Sequence, residues 1–207
     1  MALPRLPREP KSIRQVLPGG IQERTPPGQF VTEKFPVLTV GETPEIDLDG
    51  WRLQVYGLVE RELDLSWQEF VGLPPITVIA DFHCVTQWSR LDNTWEGVAF
   101  STLVNAARPL ATARHVMVYC YGDYSVNIDL KSLLGDDVLL AYRHDGQDLD
   151  LDHGGPLRLV VPKRYGWKSA KWVHSLELMD EERLGFWEVR GYHPRGDPWV
   201  EERFTIQ

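Results

Sequence analysis

Trp51-Arg-Leu-Gln-Val-Tyr-Gly57 alternates apolar and polar positions, the period-two pattern of a strand with one buried face. Ile76-Thr-Val-Ile-Ala-Asp-Phe82 is more continuously apolar, and predicts a buried strand that runs straight into His83-Cys84. Further strands are expected over residues 116–120 and 125–128, as a pair around a Gly122-Asp123 turn, and over 138–141, 157–161 and 173–178. Helical signals are short. Ser66-Trp-Gln-Glu69 is a capping box: the serine accepts from the third helical N–H while the glutamate reaches back, so a helix starts there and stops near Gly72. Ser101 is expected to cap a second helix through Ala107. Strands outnumber helices and do not alternate with them regularly, so the fold class is α+β.

Six prolines and three glycines fall in residues 1–30. Proline fixes φ and removes a donor, so this stretch is expected to be an extended arm rather than helix or sheet, followed by one domain over 31–207. The arm shows no apolar core of a secretory signal and no adjacent arginine pair, which points to a cytoplasmic protein. No run approaches the roughly 18 apolar residues that signal a membrane span.

Composition narrows the chemistry. The chain has 207 residues and 22 Lys+Arg against 30 Asp+Glu, for a formal charge of −8. That balance argues against general nucleic-acid binding, which needs a basic footprint. Two cysteines, Cys84 and Cys120, make neither a disulfide framework nor a four-ligand zinc site by themselves. There is no G-x-G-x-x-G after a strand, no P-loop, no H-E-x-x-H and no G-x-S-x-G. Charge is uneven. Residues 123–152 hold eight Asp against Lys131 and Arg143, which is a solvated face or a docking surface for a basic redox partner. Residues 153–175 reverse this, with Arg158, Lys163, Arg164, Lys168 and Lys171 and no carboxylate. Interleaved with Tyr165, Gly166, Trp167, Ser169 and Trp172, they predict an anion site, best suited to a phosphate.

Cys84 follows a buried strand and opens a polar segment, Val85-Thr-Gln-Trp-Ser-Arg90, with Trp95-Glu-Gly97 beyond it in what reads as a flexible turn. His83, Arg90 and Lys168 are candidates to make the surroundings electropositive and favour thiolate. Such a thiolate is a nucleophile or a soft metal ligand, and residue types alone do not choose. A packed structural cysteine, a metal-free thiol enzyme, a phosphate-binding module without catalysis and a zinc site from His83, Cys84, Cys120 and His153 all stay open at this point.

Two motifs together carry a family resemblance. His83-Cys-Val-Thr-Gln-Trp-Ser-Arg90 with Trp95-Glu-Gly97 resembles the molybdenum-ligating cysteine segment of the sulfite oxidase superfamily. It is closest there to the branch of the bacterial protein-methionine-sulfoxide reductase catalytic subunit. His153-Gly-Gly-Pro-Leu-Arg-Leu-Val-Val-Pro162 and Tyr165-Gly-Trp-Lys-Ser-Ala-Lys-Trp172 resemble its pterin-binding segment, and Gln29-Phe-Val-Thr32 with Phe35-Pro-Val-Leu38 its entry arm. The resemblance implies a molybdenum–molybdopterin cofactor, a domain of mixed sheet with short helices, and two-electron oxygen-atom transfer between the +6 and +4 states. It implies Cys84 as the metal ligand and Arg90 and His83 as catalytic candidates around the substrate. Phe30, Thr32, Cys120, His153, Arg158, Ser169, Ala170, Lys171 and Lys168 are its cofactor-binding candidates. It leaves a small oxyanion or sulfoxide such as sulfite or an S-oxide as substrate, while the acidic stretch over 123–152 is the expected docking face for a separate cytochrome or flavoprotein. His153 stands where the reductase has Asn, and His83 where it has Arg, so a basic sulfite pocket is not implied.

Overall fold

The structure is a computed structural model and describes residues 20–206 together with the backbone of 11–14. Much of the expected arm, residues 1–10 and 15–19, lies outside the described residues. The described parts of the arm join a sheet, which the proline content did not foretell. Lys11–Arg14 is strand β1 and pairs in parallel with residues 76–79, while Phe30–Val31 is β2 and pairs in parallel with Trp88 and Ser89.

Strand β3 (Arg52–Gly57) leads through β4 (Leu63–Ser66) into helix α1 (Trp67–Val71), whose capping box forms as expected. Strand β5 (Pro75–His83) ends at the cysteine turn, and β6 (Trp88–Ala99) returns antiparallel to it. Helix α2 (Phe100–Ala107) follows directly. Its N-cap is Ala99 with no side-chain cap, so Ser101 lies inside the helix rather than at its cap. A hairpin of β7 (His115–Cys120) and β8 (Ser125–Asp129) turns through Gly122 and Asp123, both at positive φ. Helix α3 (Leu130–Leu133), strands β9 (Leu139–His144), β10 (Gln147–Asp148) and β11 (Arg158–Val160), and finally β12 (Val173–Met179) complete the order.

Among the described residues these strands make two sheets. One runs β1-β5-β6-β9-β10, with β11 on β9 and β2 on β6; the other runs β4-β3-β12-β7-β8. The larger core cluster joins the second sheet to α2 and one face of the first sheet. The smaller cluster covers the opposite face of the first sheet, and Cys84 belongs to it. Strand β6 escaped the sequence reading because Arg90, Asp92, Asn93 and Glu96 break its alternation, with Asp92 at positive φ and a bulge at Glu96/Gly97. Trp95-Glu-Gly97 is therefore strand, not a flexible turn. A side chain at Gly97 would strike the backbone of Leu140 and Ala141 on β9, so glycine lets the two strands meet there.

Candidate active site

Side chains alternate along a strand, so Ile76, Val78, Ala80, Phe82 and Cys84 share the face of the smaller cluster, while Asp81 and His83 turn the other way. The same parity places Arg158. Strand β11 pairs it with Ala141, whose side chain and that of Val160 both lie in the smaller cluster. Cys84 and Arg158 thus come to one face from strands that are 74 positions apart in sequence.

They line a cavity of about 350 Å³. Its walls are largely aromatic: Phe35, Phe82, Trp88, Tyr124, Trp167, Trp172, Trp187 and Tyr192. His153, Arg158, Ser169, Ala170 and Lys171 supply the rest of the pterin-type motif, and none of the lining residues is a carboxylate. Gly166 also lines it, because a side chain there would run into the ring of Phe82.

Arg158 is 3% exposed. Its two Nη atoms donate to the carbonyls of His153 and Ser169, each at 2.8 Å, while Nε has no partner. The guanidinium lies 5.3–5.8 Å from the centres of Phe82, Trp95 and Phe35. Burial among rings, with no carboxylate bonded to it, pulls its pKa down to about 10. Burial, then the neighbouring Arg158 charge, pulls Lys171 down to about 8. The Lys171 amine donates to Thr39 Oγ1 at 2.9 Å and to the carbonyl of Asp152. His153 stacks on Phe35 at 4.6 Å, with Nε2 3.0 Å from the Phe35 carbonyl and Nδ1 2.9 Å from Asp150. Residues 35–40 are thereby held across the cavity.

Cys84 is 7% exposed, and its sulfur lies 3.1 Å from Thr86 Oγ1. Burial raises the thiol pKa, and Thr86 partly opposes that shift. None of the three cations expected beside it serves that purpose. His83 Nδ1 faces Ser89 Oγ at 2.8 Å, and burial lowers its pKa to about 4, which keeps it neutral. Arg90 spends its donors on Asn93, Asp145 at 2.6 Å and the Glu33 carbonyl at 3.2 Å, behind Phe35. Lys168 is buried in an ion pair with Glu188 at 2.8 Å and also donates to the Asn127 carbonyl. The cation that does act on the Cys84 sulfur is Arg203, from the C-terminal segment.

Three further expectations change place. Cys120 packs in the larger core cluster, fully buried, and is not a cavity wall. Phe30 is 59% exposed, and Thr32 bonds the Lys34 N–H. The arm reaches the cavity a few residues later, through Phe35, Pro36, Leu38, Thr39 and Val40. The cations of 153–175 are also not all free: Lys163 faces Asp137 at 3.3 Å, and Arg164 lies 4.0 Å from Asp129 and Asp197. The acidic stretch is likewise partly spent inside the molecule, with Asp129 capping α3, Asp145 on Arg90 and Asp150 on His153. Tyr124, Trp187 and Tyr192 were not among the expected site residues, although Gly185-Phe-Trp-Glu188 and Gly191-Tyr-His193 also resemble C-terminal motifs of the family.

The fit to a flat, anionic, sulfur-bearing cofactor can be judged from the cavity itself. It offers ring walls, the buried Arg158 and the half-buried Lys171, neither bonded to a carboxylate, one thiol, and an orphaned buried donor at Trp167 Nε1. A buried donor without an acceptor and a buried charge without a counter-charge are both costly, and an anionic heterocycle relieves both. Among the described residues no group of three or more His, Cys, Asp and Glu side chains is placed to hold a metal ion, so the zinc arrangement does not form. The residues fit a pterin carrying a phosphate, and Cys84 lines the same cavity.

An α+β domain with one thiol in a carboxylate-free aromatic cavity suits an oxidoreductase that holds a pterin cofactor. The chain belongs to the oxidoreductase molybdopterin binding domain family, whose match spans residues 40–187. Molybdopterin is the cofactor of that family, and the chain is an oxidoreductase of the sulfite oxidase superfamily. It is 44% identical over 183 residues to the "Uncharacterized oxidoreductase YuiH" of Bacillus subtilis, covering 88% of this chain and 92% of that one. It is 30% identical to the "Putative protein-methionine-sulfoxide reductase subunit YedZ1" of Azospira oryzae, covering 81% of this chain and 64% of that one. Among solved structures, the sulfane dehydrogenase SoxCD from Paracoccus pantotrophus matches with a TM-score of 0.61 at 25% identity, over 67% of this chain and 40% of that one.

Proposed function

We infer that Cys84 ligates the molybdenum of a molybdopterin held in this cavity, and that the chain catalyses two-electron oxygen-atom transfer to or from a small oxyanion or sulfoxide. The observation that carries the reading is the convergence of Cys84, Arg158 and Lys171 on one cavity without a carboxylate. The bound group supplies the redox chemistry, and the protein supplies position and electrostatics. Arg158 and Lys171 balance the cofactor's negative charge, with Ser169 and Ala170 beside them. Lys171 must stay protonated to do this, and an anion nearby favours its charged form. Phe82, Trp88, Trp167 and Trp172 wall the ring system and exclude water. When Cys84 is ionised, Thr86 Oγ1, 3.1 Å from the sulfur, is the donor of that pair and stabilises the thiolate. Electrons are exchanged with a separate protein; the relatives named as reductase subunits support this.

The metal-free thiol enzyme fares worse, because burial raises the Cys84 pKa and the one adjacent histidine faces away from it. The test is expression in a host that makes molybdopterin. Stoichiometric molybdenum is expected, and Cys84→Ser is expected to lose most sulfite- or sulfoxide-dependent turnover, since the metal's ligands set its electronics. Full turnover in Cys84→Ser, or activity without molybdenum, would overturn the reading.

A further inference from the structure

The turn that presents Cys84 is held by residues that lie outside the family-matched span of 40–187. Gln29 Nε2 donates to the Cys84 carbonyl at 3.0 Å, and its Oε1 accepts from Ser89 Oγ at 3.3 Å. The Phe30 N–H donates to the Gln87 carbonyl at 2.8 Å. Arg203 Nη1 donates to the Val85 carbonyl. Three carbonyls of one turn, those of Cys84, Val85 and Gln87, are therefore gripped, two by the arm and one by the C-terminal tail.

Arm and tail also touch each other. A side chain at Gly28 would come within 2.8 Å of Glu201 Oε1 and 3.3 Å of Arg203 Nη2. Arg203 lies 5.1 Å over the ring of Tyr165, a residue that bridges His83 through the backbone. The tail is fixed in turn, because His193 N–H donates to the Arg203 carbonyl and Tyr165 N–H to that of Gly196. The grip has something to oppose. Gln87 sits at φ 74°, a left-handed conformation that a residue with a Cβ adopts at a cost unless its surroundings hold it.

We propose that Gln29 and Arg203 are positioning residues for Cys84: the two ends of the chain clamp the turn and fix the direction in which the sulfur points into the cavity. The proposal rests on Cys84 being the molybdenum ligand. Neither residue lines the cavity, so neither acts on substrate; Gln29 is neutral and acts through the turn alone, whereas Arg203 also places its charge near the sulfur, so Gln29→Ala is the variant that isolates position from charge. Hydrogen bonds of this kind to the segment carrying a metal ligand orient it, and their loss costs about 10- to 100-fold in metal affinity or activity.

The experiment uses the molybdenum-loaded full chain and reads the thiolate-to-molybdenum absorption band and the rate of molybdenum loss on dilution. Gln29→Ala and Arg203→Gln are expected to shift the band and to speed molybdenum loss about 10- to 100-fold. Arg203→Lys is expected to recover part of both, since an amine still reaches a carbonyl. A lower melting temperature with a wild-type band and wild-type retention in both variants would overturn the clamp. If Arg203→Gln does not fold, Gln29→Ala decides by the same criteria. Cys84→Ser separates the two claims. A band that survives in it overturns the ligand reading and the clamp with it, whereas a band lost there but unchanged in the clamp variants overturns the clamp alone.

Discussion

The cavity wall and the layer just behind it contain the same residue types doing different work. Cys84, Lys171 and Arg158 face the cavity; Cys120, Lys168 and Arg90 sit behind it. The difference lies in partners supplied from elsewhere in the chain. Lys168 is neutralised by Glu188, and Arg90 by Asp145, whereas Arg158 bonds only backbone carbonyls. Cys84 lies just past its strand, beside Thr86 and the cavity, and Cys120 ends its strand in the apolar core. A residue type is thus no guide to a site until its counter-charges are known.

Substitutions in the rear layer should therefore change stability and leave the cofactor alone, and those in the wall should do the reverse. The largest stability effect is expected at the rear ion pair. Glu188→Gln leaves the Lys168 ammonium buried without its partner, and should cost about 3–5 kcal/mol in urea unfolding while the folded fraction still loads molybdenum. Equal loss of loading per folded molecule would break the division between wall and rear.

Next in size is a pH effect from His83. Its native pKa is about 4, against an ordinary 6.5. Between those values the unfolded chain takes up a proton that the native ring refuses, so stability falls as pH drops through that window. The loss attributable to His83 should approach about 3 kcal/mol by pH 4, and His83→Gln should flatten that part of the pH dependence of unfolding.

Lys171→Met, in the wall, should leave stability nearly unchanged and weaken cofactor retention about tenfold, the worth of one hydrogen bond to a charged group. In the wild type, anion affinity should fall as pH rises above about 8, where free Lys171 loses its proton; phosphate titrations by calorimetry would show it. The smallest effect is expected for Cys120→Ala, about 1 kcal/mol of stability with turnover unchanged.

Much of the fold was legible because β3 writes its burial as alternation, and β5 and β7 write theirs as short apolar runs. Strand β6 was not, since its charged positions are bonded to β9 and to the arm. The identity of the cavity residues was legible as motif, in Cys84 and in His153 through Lys171. Their orientation was only partly so. Parity along β5 already puts His83 opposite to Cys84, and could have removed it from the catalytic candidates. The roles of Lys168 and Arg90 depended on Glu188 and Asp145, which no local pattern connects to them. Arg203 left no local signal, because its contact to the turn is made across 118 positions of sequence.

The central claim is that Cys84, and not Cys120, supplies a sulfur to the metal. X-ray absorption at the molybdenum edge tests it on loaded wild-type, Cys84→Ser and Cys120→Ala proteins. The expected result is one sulfur fewer in the metal's shell for Cys84→Ser alone. An unchanged sulfur shell in Cys84→Ser, or a sulfur lost in Cys120→Ala, would contradict it.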